Sequence, residues 1–327
     1  MPVFPEPKVD YDYEVGAQIA ALRSYRDSKP GRQIPKKAAD RLLLATWNIA
    51  NLGPTKRTPS DYRLIAEILS WFDLVAIQET NDDLIGLRSI MGQLPTGYKT
   101  LFSGAAGNNE RMAFVYDSAK VTPLEKVGSL GIPPSQLTKI KIGDIETAFQ
   151  GFDRNPYMGS FRVGDFTFVL LNVHLYYGGD TPKPMERRIL ETYAVARWAD
   201  QRRTDPHAYS HNILCLGDFN LPQAVKGDPI FDQLTSRGLV LPEHSTQIGS
   251  SIVGDEHYDQ IAIFPGQTQE QFEQAAVFDY DGAVFRTLWD KLGEAGRNDF
   301  FAYVRYHLSD HRPLWAEFKT TALKVPA

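Results

Sequence analysis

From Leu42 onward, short apolar runs alternate with amphipathic stretches. Leu42-Leu43-Leu44-Ala45 and Asp73-Leu74-Val75-Ala76-Ile77 read as buried strands. Between them Leu64, Ile65, Ile68, Leu69 and Phe72 recur at helical spacing, and Ser60 or Asp61 is placed to cap the helix that they define. Further strands are predicted at residues 111–116 and 158–163, and at 166–173 after the Gly164-Asp165 turn, a hairpin that brings antiparallel pairing into the sheet. A second helix over residues 184–201 keeps Met185, Ile189, Tyr193 and Ala196 on one stripe. Strands return at 213–216, 258–264 and 313–318. Ahead of all of these, a short helix is expected around residues 13–26, followed by a basic, Pro-containing stretch over 29–41.

No repeat of fixed period, low-complexity segment or Ser/Gly-rich linker divides the chain. With 327 residues it is long enough for one large domain or two modest ones at about 150 residues each. The pattern predicts a single mixed α/β domain over residues 42–320, with 1–41 as an N-terminal extension and 321–327 as a C-terminal tail. Hydrophobic residues make up 43% and charged residues 23%, ordinary globular usage that excludes a collagen-like chain, a coiled coil and wholesale disorder. The net charge of −5 provides no global basic field for nonspecific nucleic-acid binding, so a polyanion would have to be gripped by local basic groups. Cys215 is the only cysteine, which excludes an internal disulfide framework and a zinc site of several thiolates and fits a reducing cytoplasm. The first residues read as no secretory signal, and no apolar run reaches the roughly 18 residues of a membrane span.

Several predicted strands end in a polar group that a core does not need. Asn48 follows residues 42–47, Glu79 follows Ile77, His174 follows Val173, and Asp218 and Asn220 follow Leu216. Asp259 opens a late strand, and Ser309-Asp310-His311 precedes the last. Gathered on one rim, these ends would make an acidic pocket with two imidazoles. Hard oxygen ligands such as Glu79, Asp310 and the Asn48 carbonyl suit Mg2+ or Mn2+, and imidazole titrates near neutrality, as an acid–base catalyst of phosphoester hydrolysis requires.

Taken in order, Thr46-Trp47-Asn48-Ile49, Ile77-Gln78-Glu79, Asn172-Val173-His174-Leu175, Leu216-Gly217-Asp218-Phe219-Asn220 and Ser309-Asp310-His311 resemble the motifs of the endonuclease/exonuclease/phosphatase superfamily. Within it the chain looks most like the deoxyribonuclease I branch. Glu110-Arg111 precedes a strand, Phe152-Asp153-Arg154-Asn155-Pro156-Tyr157 precedes a hairpin, and Tyr258-Asp259-Gln260-Ile261 follows. The resemblance implies a four-layer α/β sandwich, two packed mixed sheets with helices outside.

Carried over residue by residue, it implies Glu79 as the principal Mg2+ ligand, with Asn48 and Asp310 at or near the metal. Asp218 and Asn220 would face the scissile phosphate. His174 and His311 would form the acid–base pair, held by Glu110 and Asp259 respectively, since a buried carboxylate fixes an imidazole's tautomer. Arg111 and Arg154 would contact phosphate. Either Asp218 or His311 could activate the water.

Each residue alone has an ordinary explanation. Asp218 could form a turn, His174 could be a hydrogen-bonded core histidine, Glu79 could cap a helix and Asn48 could make an Asx turn. Arg187, Arg188, Arg197, Arg202 and Arg203 are interleaved with Glu186, Glu191 and Asp200 and read as a solvated helix face. Cys215 reads as core. Lys56-Arg57 could touch a phosphate backbone, and the other five histidines show no ligand spacing.

The leading functional expectation is a Mg2+-dependent nuclease acting on DNA. A phosphatase or phosphodiesterase for a lipid head group or small phosphorylated molecule is the second. Against the second, Leu216-Gly217-Asp218 and Asp259-Gln260-Ile261 stand where inositol-phosphate phosphatases carry Trp-x-Gly-Asp and Asp-Arg-Ile-Leu. A catalytically silent binding module is the third, disfavoured by the intact set of acids, amides and imidazoles. Residues 265–307 match nothing between the last two motifs and read as an insertion of unassigned role, which could shape the substrate groove or block it.

Overall fold

In the computed structural model, which describes residues 3–143, 145–244 and 246–321, the apolar runs become strands whose alternate residues enter two different cores. The elements in chain order are α1 (Val15–Ser28), β1 (Arg41–Leu52), α2 (Pro59–Leu69), β2 (Leu74–Asn81), α3 (Ile85–Met91), β3 (Tyr98–Phe102), β4 (Glu110–Asp117) and β5 (Thr122–Ser129). There follow α4 (Pro134–Leu137), β6 (Tyr157–Val163), β7 (Phe166–His174), α5 (Pro182–Thr204), β8 (Ile213–Asp218) and α6 (Pro229–Thr235). The chain closes with β9 (Asp259–Ile263), α7 (Gln267–Gln271), β10 (Phe272–Val277), α8 (Arg286–Leu292), α9 (Arg297–His307) and β11 (Leu314–Lys319).

One six-stranded sheet runs β10-β11-β1-β2-β4-β3, and a five-stranded sheet runs β5-β6-β7-β8-β9. Both are mixed: β1 and β2 are parallel in the first, β7 and β8 in the second, and the other pairings are antiparallel. The period-2 pattern of β1 shows how the layers form. Leu42 and Leu44 enter the core between the sheets, where they meet residues such as Phe161, Phe168, Leu214 and Phe318. Leu43, Ala45 and Trp47 face the other way, into a core shared with Leu64, Ile68, Phe278 and Leu288. On the far side of the second sheet, Val169, Leu171 and Cys215 pack on Val195, Trp198 and Ile230 of α5 and α6. The result is the helix–sheet–sheet–helix sandwich that the resemblance implied.

Local departures from expectation have physical reasons. The cap of α2 is Thr58, not Ser60 or Asp61: its side chain accepts from the Asp61 amide while the Asp61 carboxylate accepts from the Thr58 amide, a reciprocal capping box. The unexpected strands β3, β5 and β10 lie at sheet edges, where one side of the strand has no ladder partner and few apolar residues are needed. Ile19 and Leu22 of α1 are buried in the core with α2. Residues 265–307 contribute β10, α8 and α9, and Phe278, Tyr280, Phe285 and Phe300 are buried in that same core. Residues 322–327 of the expected tail lie outside the described residues. Among the described residues no helix is long and apolar enough to cross a membrane.

Candidate active site

Parallel pairing places the site. Because β1 runs beside β2 and β7 beside β8, their C-terminal ends emerge in pairs, with His174 opposite Asp218 in register. The antiparallel partners begin where these end. Asp259 opens β9 opposite Asp218, and Glu110 opens β4 opposite Asn81. Residues 309–311 arrive just before β11, which is antiparallel to β1. Two local devices refine the placement. The pairing of β2 shifts register around Gln78 and Glu79, and Glu79 takes a left-handed backbone (φ 59°), a strained conformation that turns its carboxylate out of the strand alternation. Gly217 has φ +130°, and an added Cβ would stand 2.1 Å from the Val173 carbonyl oxygen, so β8 approaches β7 as only glycine allows.

The geometry converges on Asp218. The Nε2 atoms of His174 and His311 stand 3.7 and 3.9 Å from the same Asp218 oxygen, Oδ2. Each ring is oriented from behind: His174 Nδ1 is 3.0 Å from Glu110 Oε2, and His311 Nδ1 is 2.7 Å from Asp259 Oδ2. The Asn48 amide donates to Glu79 Oε1 at 3.1 Å and to Asp218 Oδ2 at 3.0 Å, joining the two sheets across the site. Asn220 donates its backbone N–H to Asp218 Oδ1 at 2.8 Å and its side-chain amide to the Leu175 carbonyl at 2.8 Å. Glu79 Oε2 accepts from the Asn51 N–H at 2.8 Å.

Burial sets the electrostatics. It pushes the Glu79 carboxyl up, and the nearby Glu110 and Asp310 charges add to this against an opposing pull from His174. Burial would also raise Glu110, but its hydrogen bond to His174 and the nearby imidazole and Arg154 charges overcome this and bring it down to about 2. For His311, burial favours the neutral ring, yet the Asp259 carboxylate 2.7 Å away, with Asp218 and Asp310 beyond it, lifts its pKa well above the ordinary range.

These residues meet at a cleft of about 460 Å³. Arg154, His174, Asp218, Asn220 and His311 are its buried residues, and Asn108, Asp153, Tyr176, Tyr177 and Tyr258 are among its more open ones. Clefts of about 620 and 640 Å³ elsewhere contain none of this constellation.

The two arginines differ. Arg154 lines the cleft but spends its donors on the structure: Nε bonds the His174 carbonyl at 2.9 Å, a terminal nitrogen bonds the Leu175 carbonyl at 3.0 Å, and Asp153 lies 3.3 Å away. Arg111 is not brought into the cleft. It neighbours Glu110 on β4, where successive side chains take opposite faces, and it pairs with Asp82 and bonds the Ser103 carbonyl.

A cation can be weighed against this donor set. Asn48 Oδ1 and Asp310 Oδ1 are buried with no hydrogen-bond partner among the described residues, and Glu79 stands beside them with a carboxyl destabilised by burial and like charge. Among the described residues no group of three or more His, Cys, Asp or Glu side chains is placed to hold a metal ion, so the candidate donors here are two carboxylates and one amide oxygen. A sparse oxygen set of this kind fits a hard ion that keeps several waters, as Mg2+ does.

Several residues to which the sequence analysis gave no supporting role hold the site in place. Ser309 donates to the Asn48 carbonyl at 2.7 Å, so that carbonyl is already bonded. Trp47 Nε1 and the Tyr280 hydroxyl both bond the His311 carbonyl, at 2.7 and 3.1 Å. Gln78 bonds Asn172 at 2.6 Å between the sheets. Arg57 is buried, with its guanidinium on the Ala50, Asn51 and Leu308 carbonyls, and so cannot also serve a phosphate backbone. On α5, Arg188 and Glu191 are wholly buried, which corrects the expectation of a solvated face there.

No family model matches the chain, and no curated protein matches it. Solved structures do. A mannosyl-6-phosphatase from Bacteroides thetaiotaomicron is similar at 19% identity and TM-score 0.55, covering 85% of this chain and 99% of that one. TDP2 from D. rerio, complexed with a single-strand DNA product, is similar at 14% identity and TM-score 0.52, with 86% and 99% covered. An AP endonuclease from Archaeoglobus fulgidus is similar at 15% identity and TM-score 0.52, with 85% and 99% covered. By architecture and by these likenesses, the chain has the fold of the endonuclease/exonuclease/phosphatase superfamily.

Proposed function

We propose that the chain is a divalent-metal-dependent hydrolase of phosphodiester bonds, with DNA as its substrate and Mg2+, or Mn2+ in its place, as its metal. The observation that carries this reading is the convergence of His174 and His311, each backed by its own carboxylate, on one oxygen of Asp218. An acceptor flanked by two oriented proton carriers meets the needs of in-line attack by water on phosphorus. Asp218 takes the proton of the attacking water, and its carboxylate is fixed for this by the Asn220 and Asn48 N–H groups. One imidazole returns a proton to the leaving oxygen, while the other holds a phosphoryl oxygen. Glu79, Asn48 and Asp310 are the residues that would hold the metal, which when bound neutralises phosphate charge. DNA is favoured by the deoxyribonuclease-like placement of Glu110, Arg154 and Asp259, and two structurally similar proteins are TDP2 with a DNA product and an AP endonuclease.

One observation favours a second reading, hydrolysis of a small phosphomonoester. The cleft lining carries Asp153, Asp218 and Asp310 but a single arginine, whose donors are engaged, and a similar fold serves a mannosyl-6-phosphatase. The test is to incubate purified protein with plasmid, single-stranded DNA and a panel of sugar phosphates, with Mg2+ or with chelator. Metal-dependent DNA cleavage supports the first reading. Turnover of sugar phosphates alone moves the substrate class to the second.

A further inference from the structure

Two consecutive tyrosines, Tyr176 and Tyr177, follow β7 and line the cleft. Their loop is fixed from below by one turn of α5. Glu191 accepts the Tyr176 N–H at 3.0 Å, and Arg188 donates to the Tyr177 and Gly179 carbonyls at 2.9 and 3.0 Å. The same turn backs the rings. The Arg187 guanidinium lies 4.1 Å from the Tyr176 ring centroid, and that of Arg188 lies 4.5 Å from the Tyr177 centroid. Gly178 completes the loop with φ +62°, and a Cβ there would stand 2.2 Å from the Tyr176 ring. Yet Tyr177 remains 39% exposed. Its hydroxyl donates to Asp180 at 3.1 Å and Arg188 backs the ring, so a large aromatic surface is held at the cleft while open to solvent, as contact surfaces are.

Charge narrows the ligand. Arg154 is the lining's one arginine, with two N–H groups on the His174 and Leu175 carbonyls and a terminal nitrogen 3.3 Å from Asp153, while three aspartates line the same cleft. Grip on a substrate beyond its scissile phosphate therefore falls to π-faces. Bases within a duplex are already stacked on each other, whereas a cleft of about 460 Å³ has room for one splayed nucleotide. Resting on the nuclease reading, we propose that Tyr176 and Tyr177 form a stacking site for the base beside the scissile phosphate, so that unpaired strands are the substrate.

The test uses the full chain with Mg2+ and three oligonucleotides of equal length: a single strand, the same strand in a duplex, and a single strand with a central abasic run. The duplex and the abasic run should be cut with kcat/KM lower by about tenfold or more. Tyr177→Ala should lower kcat/KM on the base-bearing strand by about tenfold, chiefly through KM, and erase its advantage over the abasic run, whereas Tyr177→Phe should preserve both. Equal cleavage of abasic and base-bearing strands, or of duplex and single strand, overturns the stacking site and leaves the nuclease reading standing. Failure to cut any strand overturns both. The discrimination by the unmodified protein decides the matter even where Tyr177→Ala does not fold.

Discussion

The guanidinium of Arg188, fully buried on α5, donates to the Asn220 carbonyl across 3.1 Å. With its bonds to the Tyr177 and Gly179 carbonyls, this one side chain ties the loop after β7 to the turn after β8. Methionine has comparable length and no donors, so Arg188→Met leaves the buried bond to the Asn220 carbonyl and the part-buried bonds to the Tyr177 and Gly179 carbonyls unmade. The expected loss is about 3 kcal/mol of stability by urea unfolding, and Arg188→Lys should recover only part of it because an ammonium lacks the planar fork. A loss below about 0.5 kcal/mol in Arg188→Met would show that the clamp is dispensable.

Glu110 gives a pH prediction of definite sign. Its folded pKa of about 2 lies below the ordinary value of 4.5, so its ionised form stabilises the fold above that ordinary value, and the contribution disappears as pH falls toward 2. Wild type should exceed Glu110→Gln in stability by about 2–3 kcal/mol near neutrality, with the gap closing under acid. Urea titrations at several pH values measure this. A gap that stays constant down the acid limb contradicts the assignment.

Residues 265–307 reach the site through Tyr280, whose hydroxyl donates to the Ser309 carbonyl at 2.5 Å and to that of His311 at 3.1 Å. Tyr280→Phe keeps the ring packing and removes both bonds. It should remain folded while kcat/KM falls by roughly tenfold through loosening of Asp310 and His311. Unchanged kinetics would mean that Trp47 alone, through its own bond to the His311 carbonyl, holds the segment.

At the N-terminal end, Leu22 of α1 is wholly buried in the core that it shares with α2. Leu22→Ala should cost about 2–4 kcal/mol by denaturant unfolding. A cost near zero would indicate that residues 15–28 can detach without disturbing the sandwich.

The residues of the candidate site stand out in the sequence because each breaks a local rule. His174 and Asp218 end buried strands and Asn48 interrupts one with polar atoms that a core does not require, and their order along the chain carries the motifs that resemble the superfamily's. The supporting residues break no such rule. Arg188 and Glu191 sit among alternating charges that look solvated, and the loops after β7 and β8 that cover them are folded over α5 only in the tertiary structure. The edge strands were illegible for a related reason: β5 carries Pro123 and Gly128 and is mostly exposed, so it lacks the apolar alternation by which strands are recognised. That Arg111 lies outside the cleft lining was not legible, since the face that a strand residue takes depends on register, and register follows from partners far along the chain.

The convergence on Asp218 is tested most directly by single-turnover cleavage of a single-stranded oligonucleotide in Mg2+, comparing wild type with Asp218→Asn. The amide matches the carboxylate in shape and still offers Oδ1 to the Asn220 N–H, but it cannot take a proton from water. The cleavage rate should fall by about a thousandfold with the fold intact by circular dichroism. Cleavage by Asp218→Asn within about tenfold of wild type would contradict the assignment of Asp218 as the acceptor on which both histidines converge.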